Sequence, residues 1–205
     1  MEKKELDFFT VEGGFYGGDQ NWNRHAFMRL AGCSTTTACE ACIHLARTRP
    51  DLRNLYPFDP HRITMDNFRD FTELVYPHVH PGPLGLTSIE RYGSMFSSYT
   101  ASRGILMQAD LLDGNASSGA ARDFIRASID DGRVTAYLML RHRDLQFDDF
   151  VWHWFTITGY ETEGEQFRMI AATFGKRHLL DLDGAWETGF AKRGGLVSLR
   201  PLNAA

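Results

Sequence analysis

Apolar positions recur at helical spacing through the first two-thirds of the chain and at strand spacing through the last third. From Gly32-Cys33-Ser34 to Arg47, the residues Ala38, Ala41, Cys42, Leu45 and Ala46 repeat at helical intervals. Charge is thin from Ser34 to Leu45, which predicts a helix buried on most sides and ended by Pro50. A short helix is predicted within Trp22–Leu30. Met65–Val75 places Phe68, Phe71, Leu74 and Val75 on one face, with Thr64 or Asp66 as cap. Thr87–Ser102 carries Ile89, Tyr92, Met95, Phe96 and Tyr99 inward and stops at Gly104. Ala120–Ile129 is a third amphipathic stretch. Ile105–Leu111, Val134–Leu140, Phe150–Tyr160, Gln166–Thr173, Arg177–Leu182 and Leu196–Leu199 read as strands.

Helices followed by antiparallel strands predict an α+β fold. A helical lobe over about 20–130 would pack on a sheet lobe over about 132–200 plus the N-terminal segment, in one domain spanning 1–205. The first 22 residues are dense in glycine and aromatics, which predicts turns whose backbone lies close to other groups.

Composition narrows the function classes. A net charge of −4 without a basic stripe argues against nucleic acid and anionic membranes. No apolar run approaches the roughly 18 residues of a membrane span. The N-terminus lacks the features of a signal peptide, which predicts a cytoplasmic protein. The three cysteines, Cys33, Cys39 and Cys42, make no disulfide framework and, with the histidines, no recognised zinc spacing. No metal or other cofactor is expected. The sequence is silent on oligomeric state.

Three residues suggest chemistry. Cys33 opens the buried helix, where free N–H groups and the macrodipole favour a thiolate and can hold an oxyanion. Cys39 and Cys42 lie inside the helix and read as packing. His153 sits in Val151–Tyr160, where strand alternation puts it with Val151, Phe155 and Ile157. A strand holds an imidazole rigidly, as a general base for a thiol requires. Gln20, upstream of Cys33, has a side-chain amide able to donate to an oxyanion.

Gly17-Gly18-Asp19-Gln20-Asn21-Trp22, followed by Gly32-Cys33-Ser34-Thr35-Thr36-Thr37-Ala38, resembles the papain-like cysteine peptidases. The bacterial branch similar to the leader-cleaving domains of bacteriocin exporters is nearest. Phe124–Arg133 resembles the helix leading to the strand ahead of that family's histidine. His153–Tyr160 resembles its histidine strand, and Ala172-Thr173-Phe174-Gly175 its Asn-Ser-Trp-Gly step. The likeness touches about two-thirds of the chain in the family's order. It implies a papain-like fold, with Cys33 as nucleophile, His153 as base and Gln20 as oxyanion donor. The implied activity is cleavage of a peptide or small amide through a Cys33 thioester. An amide-forming acyltransferase, or an inactive scaffold that binds a peptide or partner, is the alternative.

Three positions depart from the pattern. Ser34 stands where Gly is usual, Gln20 lies farther upstream than in papain, and Ala172 takes the place of the orienting Asn. Alanine cannot fix an imidazole tautomer. Thr173, Asp181 or another group takes that task, or the pair works as a dyad, or the protein is not a peptidase.

Overall fold

The computed structural model describes residues 1–202. Its centre is an antiparallel sheet. The main path runs β4 (Met107–Asp113), β9 (Gly194–Pro201), β5 (Thr135–Met139), β6 (His153–Glu163), β7 (Gln166–Thr173), β8 (Lys176–Asp181). The N-terminal strand β1 (Glu2–Glu5) pairs with the far half of β6, where β5 no longer reaches. A separate two-stranded ribbon joins β2 (Thr10–Val11) to β3 (Phe15–Tyr16).

Helices cover both faces of the sheet. On one face lie α2 (Cys33–Thr48), α3 (Met65–Val75) and α4 (Ile89–Ser102), packed against Ala136, Leu138 and Leu140 and against Trp154 and Val197. On the other lie α5 (Ser118–Asp130) and the short α6 (Leu182–Trp186), packed against Tyr137, Met139, Phe155 and Ile157. The central strand β5 is covered on both sides, so it is buried without alternation. The α+β class follows directly. β4 and α5, which the sequence groups with the helical half, belong to the sheet and its second face. The stripe Ala121, Ile125, Ile129 fits the residues that alternation turns away from α2.

Helix α2 is buried from Cys33 to Ala46. Two of its threonines turn their hydroxyls to carbonyls: Thr37 Oγ1 donates to Cys33 O at 2.8 Å and Thr35 Oγ1 to Val79 O at 2.6 Å. The first contact keeps the polar group satisfied within the helix, and the second ties the helix start to the loop after α3. Helices α3, α4 and α5 begin at Thr64, Ser88 and Ser117, each accepting a backbone N–H as an N-cap. The region Trp22–Leu30 divides into a 3₁₀ turn, Gln20–Trp22, and α1 (Ala26–Ala31). Strand β6 begins three residues later than the sequence predicts, because Leu145–Phe150 forms a 3₁₀ turn.

Candidate active site

Gly17 and Gly18 bring the N-terminal loop onto the helix layer. A Cβ on Gly18 would stand 2.0 Å from the Phe68 ring, and Gly17 has φ +73°. Only glycine allows that approach. The Gly18 N–H donates to Glu40 Oε1 on α2 at 2.8 Å, and the other oxygen of Glu40 is hydrogen-bonded to Thr156 on β6. One buried carboxyl therefore links the Gln20 loop, the Cys33 helix and the His153 strand. Burial pushes its pKa up to about 8, against the lowering effect of Thr156 and Gly18.

Cys33, His153 and Gln20 line one cleft of about 500 Å³. Its walls are α1, the 83–87 loop, the end of β5 and Trp152–Trp154. Trp154 stacks on Tyr92 of α4 at 4.2 Å, and its indole Nε1–H donates to Leu86 O at 2.6 Å, which fixes the loop wall to the sheet.

Cys33 is the first residue of α2, with Gly32 as its N-cap. The backbone N–H groups of Trp154, Ser34 and Cys33 itself favour a thiolate, but burial outweighs them and raises the thiol pKa above its ordinary 9.0. The expected helix-start activation is thus present and overcome by desolvation. Cys39 and Cys42 are fully buried, as packing residues are. Iodoacetamide alkylation of the native protein is accordingly expected at Cys33 alone. Its rate should keep climbing beyond pH 9, as mapped by fragment-ion mass spectrometry. A rate that levels off below pH 7 would reveal an ionised thiol and contradict this.

His153 begins β6 and is buried. Its Nε2 lies 2.7 Å from Thr173 Oγ1, and its ring stacks on Phe174 with centroids 4.7 Å apart and planes 11° apart. Burial, then the charge of the nearby His178, pulls its pKa down to about 4, so it is a neutral imidazole at pH 7. Asp181 is engaged elsewhere, capping α6 through the Gly184 N–H. Of the groups that could hold the ring, Thr173 is the one bonded to it. The sulfur and the imidazole line the same cleft without a hydrogen bond between them.

The Gln20 side chain donates from Nε2 to Arg29 O at 2.9 Å, which leaves one amide hydrogen uncommitted, and its Oε1 is buried without a partner. Among the described residues, no group of three or more His, Cys, Asp or Glu side chains is placed to hold a metal ion. Among the described residues, no helix is long and apolar enough to cross a membrane.

Sequence reading missed two features beside His153. Trp152 (φ +54°) and Phe174 (φ +53°) are the non-glycine residues at positive φ among those described. Such conformations cost about 1–3 kcal/mol each and persist where the surroundings impose them. Phe174-Gly175 forms the two-residue turn between β7 and β8, with positive φ at both positions. That turn type favours Asn-Gly, so a Phe-Gly pair is the available signal. The second missed feature is Glu40, the lone acidic residue in an otherwise nearly uncharged stretch.

Comparison with family models finds no match to this chain, and comparison with curated proteins finds none either.

Proposed function

We propose that the protein is a cysteine-dependent acyl-transfer enzyme of papain-like fold, most simply a peptidase acting on a peptide or small amide. The observation that supports this best is the pairing of a helix-opening Cys33 with an imidazole held by Thr173 and Phe174 in the same cleft. In this reading Nε2–H donates to Thr173 Oγ1, and Nδ1 keeps its lone pair. Thr173 then does the work that Ala172 cannot.

With thiol and imidazole both neutral at rest, proton transfer accompanies attack. Nδ1 takes the thiol proton as sulfur adds to the carbonyl carbon. The oxyanion draws on helix-start N–H groups and the free amide hydrogen of Gln20. Collapse breaks the C–N bond, and the imidazolium gives its proton to the leaving amine. Water, deprotonated by the same imidazole, then cleaves the thioester and restores the thiol.

A panel of peptide, ester and thioester donors, followed by intact-mass and fragment analysis, tests this. The expected product is an acyl group on Cys33 that turns over to free acid. A peptide-binding scaffold without catalysis draws support from the raised thiol pKa. Donor binding with neither adduct nor product would favour that scaffold and end the acyl-transfer reading.

A further inference from the structure

The cleft is lined mainly by apolar side chains, and its rim exposes some that add nothing to the core. Phe27 is 41%, Leu30 81% and Leu84 85% exposed, yet all three line the wall facing Cys33. Exposed apolar groups gathered at one concavity mark a binding surface. No Asp or Glu lines this cleft, and its single cation is Arg141.

Arg141 and Arg143 both lie on the Phe190 ring, and of the two only Arg141 lines the cleft. Arg133, Arg193 and Arg200 each pair with a carboxylate. The Arg141 guanidinium instead lies 5.9 Å from the Trp152 ring and 5.8 Å from the Phe190 ring, without a carboxylate partner among the described residues. Aromatic faces hold a guanidinium in place while leaving its N–H edge free. Trp152 is itself half exposed and adopts positive φ immediately before His153. The strained backbone brings this indole to the cleft, where it supports the cation.

We propose that Arg141, held on Trp152, reads a carboxylate of the substrate, so that the substrate is a short apolar peptide carrying a negative charge. The inference rests on the acyl-transfer reading for the class of ligand. The carboxylate is a chain terminus or an acidic side chain, and the two present the same edge to a guanidinium.

Binding to the full chain carrying Cys33→Ala separates recognition from turnover. Calorimetry would compare three peptides of one leucine-rich sequence: with a free C-terminal carboxylate, with a terminal amide, and with a terminal amide plus a Glu side chain. At least one charged peptide should bind about tenfold tighter than the neutral one, equivalent to about 1.4 kcal/mol. The order of the two charged peptides identifies the source of the carboxylate. Adding Arg141→Gln should bring the ratio to about one, while Arg143→Gln, outside the cleft lining, should leave it. Equal binding of charged and neutral peptides, a preference that survives Arg141→Gln, or no binding by any of the three would overturn the proposal. A charge preference in a protein that never turns over peptide would sustain it and sink the acyl-transfer reading. Turnover indifferent to charge would do the reverse.

Discussion

Cys33→Ala and His153→Ala are each expected to lower kcat/KM by about 10⁴-fold or more, and the double variant no further than the worse single one. The reason is that the two side chains act as one unit. The thiol of Cys33 is largely protonated at neutral pH because burial raises its pKa. It becomes a competent nucleophile only as the imidazole removes its proton. Removing either partner deletes the same step, so the losses do not add. The wild-type pH profile follows from the same two groups. kcat/KM should rise through about pH 4 as His153 loses its proton, and hold until the thiol itself ionises above its ordinary range. Steady-state kinetics on the three variants and a pH series measure both. Additive losses, or an acid limb near the unperturbed histidine value, would show that the pair does not work as described.

Glu40→Gln is expected to leave stability at pH 5 within about 1 kcal/mol and to raise it at pH 8 by several. The folded carboxyl keeps its proton up to about pH 8, whereas an unfolded one releases it near 4.5. Between those values the folded state binds more protons, so wild-type stability falls as pH rises. The full window corresponds to about 5 kcal/mol at 1.36 kcal/mol per unit. Glutamine copies the protonated carboxyl: its oxygen accepts from Gly18 N–H, and its amide donates to Thr156. It has no proton to lose. His153 acts in the opposite sense, because its lowered pKa adds stability as pH rises from about 4 to 6.5. Both chains carry His153, so the difference between them isolates Glu40. Urea unfolding at pH 5, 6.5 and 8 gives the comparison. Parallel pH dependences for the two chains would refute the assignment. Glu40→Leu should lose about 1–3 kcal/mol for each buried group left unpaired, even at pH 5.

Local pattern carried much of this fold. α3 occupies Met65–Val75 and β7 Gln166–Thr173, as the sequence predicts, because apolar period and cap agree at the helix and the glycine turns at Gly164 and Gly175 bound the strand. The buried character of α2 was visible in its missing charges. β1 was not, since Glu-Lys-Lys-Glu has no apolar period and is a strand only by pairing with β6. The short α6 depends on the Asp181 cap and on Trp186 filling the second core. At the site, Cys33 and His153 stood out by residue type and by their place in an element. Thr173 was one of several open choices, which only three-dimensional proximity could decide. The significance of Glu40 lies in bonds to residues 22 and 116 positions away. The strain at Trp152 and Phe174 is a property of backbone angles that apolar periodicity does not encode.

The strained pair has a consequence for engineering. Backbone preference alone would choose Gly at 152 and Asn at 174, and both changes relieve unfavourable angles. A consensus or stability-ranked redesign would adopt them early. It would also remove the ring stacked on His153 and the indole beneath Arg141, since both occupy the strained positions. Thermostabilisation of this scaffold therefore has to hold positions 152 and 174 fixed and seek its gains elsewhere.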